Sequence, residues 1–181
     1  ISVKDRAHSV LLLSKMPVDR LDGAEIGITH ESSTSVRLLK VMLAHVWRAR
    51  PARFAALDPA RNDACLLIGD EALRRRKGDE LYAHVADLGE VWHKWTGLPF
   101  VFARWVVRRD LPDADRGRLC ALLEESMADG WPQLERIAAP YAAALDMTID
   151  EVREYLQAFR FRATAAEHDA VLNAFRYLEK F

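Results

Sequence analysis

The sequence lacks most features that would assign a function class at sight. It has only two cysteines, Cys65 and Cys120, both in apolar surroundings. Two isolated thiols make no disulfide framework, so buried, reduced side chains in a cytoplasmic protein are expected. No apolar run approaches the ~18 residues that a membrane span requires. No charged segment followed by an apolar one marks a signal peptide. An excess of one charge is lacking too: 26 Lys and Arg stand against 27 Asp and Glu, with a pI near 6.7. A general nucleic-acid binder would carry a basic excess. The run Arg74, Arg75, Arg76, Lys77 has acidic neighbours and reads as a solvated helix end. None of the six histidines (His8, His30, His45, His84, His93, His168) stands in an H-x-x-x-H spacing, so no metal site is expected. The G-x-S-x-G, G-x-G-x-x-G and P-loop patterns are missing, which removes serine-nucleophile and nucleotide-binding readings.

What is present is a chain of 181 residues, 50% hydrophobic, enough for one sizeable core or two small lobes. It begins at Ile1 without an initiator Met, and residues 1–8 run straight into an apolar stretch. The sequence is therefore expected to be processed or truncated at its N-terminus. Residues 10–13 and 64–68 are continuous apolar runs, the pattern of strands buried on both faces. Residues 25–29 form a third short strand after the Asp22-Gly23 turn. A helix over residues 34–48 follows, with Val36, Leu39, Leu43 and Val46 on one face and Pro51 beyond its end. Residues 71–76 begin a short helix, and Val85-Ala86 suit a strand. Asp87 can cap a helix that runs to Thr96, with Gly97 as its stop. Residues 99–109, rich in aromatic and β-branched side chains, predict a long strand. Trp92, Trp95, Phe100, Phe102 and Trp105 are mostly core candidates, with one of them free to line a crevice.

After Pro112 the chain turns helical. Leu119, Leu122, Leu123 and Met127 make one stripe, and residues 131–145 a second helix that Pro140 interrupts. Thr148…Glu151 and Thr164…Glu167 both fit the capping box, the second opening a helix with Val171, Ala174, Phe175 and Leu178 on one face. Strands alternating with helices over the first 110 or so residues define an α/β sheet with mostly parallel strands. Ligands in such sheets bind at the C-terminal ends of strands, near helix N-termini.

Two loops qualify: residues 30–35 and residues 69–71. The first carries Ser32, Ser33, Thr34 and Ser35 at the start of a helix. Free N–H groups, the positive end of the macrodipole and hydroxyls together suit a carboxylate or phosphate. The residues alone leave open whether the cluster binds an anion or only caps the helix. Asp70 either faces the crevice or caps the next helix, Ser9 stands before a buried strand, and His30 reads as a solvated loop histidine.

Three segments carry a family likeness: DGAEIGITHESSTSVRLL, CLLIGDEAL and DLGEVWHKWTGLPFVFARW, in this order and spacing, followed by FRF and LNAF near the end. Together they resemble the chorismate dehydratases of the futalosine route to menaquinone, over essentially the whole chain. The resemblance implies a two-lobed fold like the type II periplasmic binding proteins, with the first lobe incomplete here and a helical C-terminal part. Residues 1–15 would cross from lobe 1 and residues 16–98 would form lobe 2. Residues 99–181 would supply the returning strand and helices packing on lobe 1. The implied reaction is dehydration of chorismate to 3-[(1-carboxyvinyl)oxy]benzoate, without metal or organic cofactor, nucleic acid or membrane. Thr34 and Ser35 would bind a substrate carboxylate, Ser9 would also contact substrate, and Asp70 would open onto the same crevice. The family's asparagine near the reacting ring has no counterpart in this sequence, so no catalytic residue or general base is assigned. Two other readings stand beside it. One is the sister 1,4-dihydroxy-6-naphthoate synthases, which carry a histidine where this chain has Gly69. The other is a non-catalytic module that binds a small anion.

Overall fold

The structure is a computed structural model that describes residues 1–181, except that the side chains of Ala166 and Phe175 lie outside the described residues. The chain runs β1 (Ser2–Val3), β2 (Val10–Ser14), β3 (Glu25–Ile28), α1 (Ser33–Met42), β4 (Arg53–Ala56) and β5 (Ala64–Ile68). It continues through α2 (Gly69–Arg74), β6 (His84–Asp87), α3 (Leu88–Thr96), β7 (Phe100–Val101) and α4 (Asp113–Gly130). It ends with α5 (Leu134–Ala142), α6 (Ile149–Ala158), β8 (Phe159–Arg160) and α7 (Ala165–Leu178).

The central five-stranded sheet has the order β4-β3-β5-β2-β6. β3 pairs in parallel with β4 and β5, while β2 is antiparallel to both β5 and β6. One reversed strand thus sits inside an otherwise parallel sheet. The link from β2 to β3 carries no crossover helix, only a 3₁₀ turn over Val18–Arg20, so the chain returns in the opposite sense. β2 is buried along its whole length. Its alternating side chains feed two cores, as the two-residue period demands. Val10 and Leu12 pack with Ile26 and Leu66 beneath Leu38, Leu39 and Met42 of α1 and Trp92 of α3. Leu11 and Leu13 pack with Cys65, Leu67, Ala72 and Tyr82 on the other face. Each fully buried leucine here contributes about 1.5–3 kcal/mol.

Several local signals behave as the sequence predicts. Asp87 caps α3, accepting from the Gly89 and Glu90 amides, and Gly97 stops the helix with φ of 71°. Thr148 and Glu151 exchange backbone-to-side-chain hydrogen bonds of 2.8 and 3.1 Å ahead of α6. The Thr164 amide donates to Glu167 Oε2 at 2.9 Å ahead of α7.

Others do not. The strand expected over residues 99–109 is confined to Phe100–Val101, and beyond it Trp105 and Val106 are exposed. Their residue types favour a strand, but no neighbouring strand among the described residues supplies a ladder. β1, β4 and β8 are strands that the sequence pattern did not signal. Cys120 is exposed, whereas Cys65 is buried as expected. Burial pushes the Cys65 thiol up from its ordinary pKa, partly offset by the Tyr82 hydroxyl 3.1 Å away, so it is no reactive thiolate.

The chain divides into two compact units, residues 1–102 with 158–181, and residues 103–157. In the first, α7 packs on α1 and on β7, and β1 pairs with β7 and β8 in a small antiparallel sheet. The second is helical: Trp131–Gln133 forms a 3₁₀ turn, α5 holds Pro140 inside it, and a further 3₁₀ turn, Ala143–Leu145, ends the segment. Its buried side chains are few, among them Ala138, Leu145 and Val152. Of the stripe on α4, Leu119, Leu122 and Leu123 are exposed and Met127 is half-buried. Among the described residues no helix is long and apolar enough to cross a membrane.

Candidate functional site

The sheet's architecture brings three chain segments to one edge. β3 and β5 are parallel, so the loops after Ile28 and Ile68 leave the same edge. β2 is antiparallel to β5, with Val10 opposite Ile68, so Ser9 enters at that edge too. Between them lies a cavity of about 200 Å³. Ser9, Ser32, Thr34 and Ser35 supply its hydroxyls, Gly69 part of its backbone wall, and Phe102 and Phe159 its aromatic side.

The four-hydroxyl cluster divides its work. Ser32, in extended backbone, is the cap: its Oγ accepts from the Ser35 amide at 3.1 Å and donates to Ser35 Oγ at 2.9 Å. Ser33 is exposed, and Ser35 is buried. Thr34 is half-buried on the cavity wall, and among the described residues no group hydrogen-bonds its hydroxyl. The first turn of α1 contains no acid, whereas the first turns of α2, α3, α6 and α7 all do. The first turn of α1 thus supplies no carboxylate of its own, and Glu31, one residue before the cap, is exposed; such a helix start favours an anion from outside.

Ser9 is 7% exposed, with its Oγ donating to the Ala7 carbonyl at 3.3 Å. Its own carbonyl accepts from the Gly69 amide at 2.9 Å. That bond stitches two cavity segments together, and Gly69 takes φ of 58° to make the turn, a conformation that suits glycine. Of the sequence candidates, Ser9, Thr34 and Ser35 come together. Asp70 does not join them: its side chain is 71% exposed and lies 3.9 Å from Arg74 in the first turn of α2. His30 is exposed and outside the lining. Among the described residues no group of three or more His, Cys, Asp or Glu could hold a metal ion. Phe159 and Ala7 also line the cavity without any local sequence signal, whereas Phe102 belongs to the aromatic stretch already singled out.

A larger, more open hollow of about 640 Å³ lies at the other end of α1, lined by Lys40, Arg48, Arg50, Phe54 and Phe181. There the macrodipole turns its negative end outward, and the cations suit that end on their own account. The smaller cavity is the better-built site.

The site is thus a small cavity at the strand ends of a mixed α/β unit, lined by hydroxyls at a helix start that carries no acid in its first turn. The chain belongs to the menaquinone biosynthesis family, whose model matches residues 1–180. It is 31% identical to a chorismate dehydratase of Thermus thermophilus over 183 residues, 89% of this chain and 64% of that protein. The chain thus spans a little under two thirds of that relative's length. Its fold is similar to a crystal structure of an Archaeoglobus fulgidus protein, with a TM-score of 0.63 at 18% identity. That match covers 99% of this chain and 68% of the other.

Proposed function

We propose that this chain forms the substrate-holding part of a chorismate dehydratase, a lyase removing water from chorismate to give 3-[(1-carboxyvinyl)oxy]benzoate in menaquinone biosynthesis by the futalosine route. One observation carries the reading: the acid-free, hydroxyl-lined start of α1 faces a cavity with two phenylalanine walls, in a chain of this family. Chorismate is a ring dicarboxylate, and this cavity offers both an anion holder and flat apolar surface.

In this reading Thr34 Oγ1 and the free amides at the start of α1 hold one carboxylate, with Ser35 completing the cluster. Ser9 contacts the substrate from the β2 side. Phe102 and Phe159 lie against the ring. The reaction removes the proton from the ring carbon bearing the enolpyruvyl ether and hydroxide from its neighbour, and the ring becomes aromatic. No electrons leave, so the step calls for no redox partner. Aromatisation supplies the driving force, and the protein's share is to fix the dianion and assist the proton transfer. In this reading the substrate's own enolpyruvyl carboxylate serves as the base.

We further propose a type II periplasmic-binding-protein arrangement, used by a cytoplasmic enzyme. Residues 1–15 and the strand at residues 100–101 would make the two crossings, and residues 16–98 the second lobe. Exposed Trp105, Leu119 and Leu122 in residues 103–157 support a surface that a first lobe covers.

The test is incubation of the full-length natural protein with chorismate, following product by absorbance and mass. Stoichiometric formation of the enolpyruvyl benzoate is expected. Chorismate left intact while the Thermus thermophilus enzyme consumes it under the same conditions would sink the reading. Binding of chorismate without turnover would mark a non-catalytic module instead.

A further inference from the structure

Asp87 looks like an ordinary helix cap, but its carboxylate does more than cap. Oδ1 accepts from the Gly89 amide at 2.9 Å and the Glu90 amide at 3.1 Å, the capping bonds of α3. The same Oδ1 accepts from the Ala7 amide at 3.0 Å, and Oδ2 from the His8 amide at 2.6 Å. Asp87 is 3% exposed; its bonds from Ala7 and Gly89 are buried, and those from His8 and Glu90 half-buried. Two of its four donors therefore lie in the segment immediately before Ser9.

That segment needs holding. His8 has φ of 59°, a left-handed conformation that side chains other than glycine rarely adopt. The segment also lies tight on α3. A Cβ at Gly89 would stand 3.0 Å from the Ala7 nitrogen and 3.1 Å from the Asp5 oxygen. Downstream, the Ser9 carbonyl is tied to the Gly69 amide at 2.9 Å. Ser9 is thus set between two fixed points, Asp87 on one side and Gly69 on the other, and both Ala7 and Ser9 line the cavity.

We propose that Asp87 is a positioning residue for the substrate site, fixing Ser9 at the cavity by gripping the amides of Ala7 and His8. This rests on reading the Ser9 cavity as the chorismate site. Asp87 itself does not line the cavity and acts through the backbone.

Asp87→Asn separates the two duties. Its retained oxygen can keep the bonds to Ala7, Gly89 and Glu90, while its amide group faces the His8 N–H donor and loses that bond. In the full-length protein, KM for chorismate should rise about tenfold, with kcat within about twofold, as expected when a ground-state contact is displaced. Adding His8→Gly should restore KM, because glycine takes this φ without the grip. A residue that only capped α3 would show neither effect. Gly89→Ala, which pushes on the same segment without touching the carboxylate, should raise KM in the same way and serves if Asp87→Asn folds poorly. A second readout needs no substrate: amide hydrogen exchange should quicken at His8 in Asp87→Asn while Glu90 stays protected. Unchanged exchange at His8, or faster exchange with wild-type KM, overturns the proposal. A wild-type protein inert towards chorismate would instead remove the dehydratase reading, and exchange alone would then decide whether Asp87 grips the segment.

Discussion

Ser32 and Thr34 are two residues apart, both hydroxylated and both on the cavity wall, yet they should fail differently. Ser32 Oγ accepts from the Ser35 amide at 3.1 Å, so Ser32→Ala removes a cap. That loss costs about 0.5–2 kcal/mol of stability. Thr34 has no such bond, and Thr34→Val keeps its shape, so stability should change by less than about 0.5 kcal/mol. If its hydroxyl holds a carboxylate, Thr34→Val removes a hydrogen bond to a charged group, about 1.5–3 kcal/mol. At about 1.4 kcal/mol per decade, KM for chorismate should rise roughly 10- to 100-fold. Steady-state kinetics and urea unfolding of the full-length variants measure the two effects separately. Thr34→Val with KM within about twofold of wild type would refute the carboxylate clamp. So would a loss of stability matching that of Ser32→Ala, since it would make Thr34 part of the cap.

Other perturbations test the frame around the site. A Cβ at Gly27 would stand 2.1 Å from Asn62 Oδ1, and Asn62 is 1% exposed, donating to Glu25 and accepting from the Asp58 amide. Gly27→Ala should therefore cost about 2–4 kcal/mol in urea unfolding, from overpacking and displaced hydrogen bonds, and much less in an Asn62→Ala background. Hydrogen bonds from Thr164, and the Arg160 guanidinium, hold the buried Glu167 carboxyl down at about 2 from an ordinary 4.5. Because the folded-state pKa is depressed, the stabilisation is complete above about pH 4.5 and fades as the pH falls towards 2. Glu167→Gln should flatten that acid limb and cost about 1–3 kcal/mol at neutral pH, both read from unfolding curves taken across pH.

Local chemistry was legible in the sequence where it acts over a few residues. Asp87 to Gly97 could be read as a helix with its start and stop because cap and stop lie within the helix itself. Thr148 with Glu151 shows the same locality. The apolar runs at β2 and β5 announced strands buried on both faces, because both faces are in fact covered. β4 escaped notice because a half-exposed edge strand needs no apolar pattern, and β1 and β8 because two residues carry no periodicity. Residues 103–109 misled in the other direction. Their composition favours a strand, but a strand is a pairing, and composition does not supply the partner.

The candidate site divides along the same line. Sequence alone determined that hydroxyls cluster at a helix start and that Ser9 precedes a buried strand. Tertiary structure decided that Ser9, Thr34 and Ser35 share one cavity while Asp70 points to solvent beside Arg74. It also decided which hydroxyl caps and which is left over, and that Asp87 reaches back to Ala7 and His8. The physical reason is distance along the chain. Caps and turns are set by neighbours within a helical turn, whereas the cavity depends on β2 running against β5 and meeting it with Val10 opposite Ile68. That register follows from packing both faces of the sheet at once, which no single segment encodes.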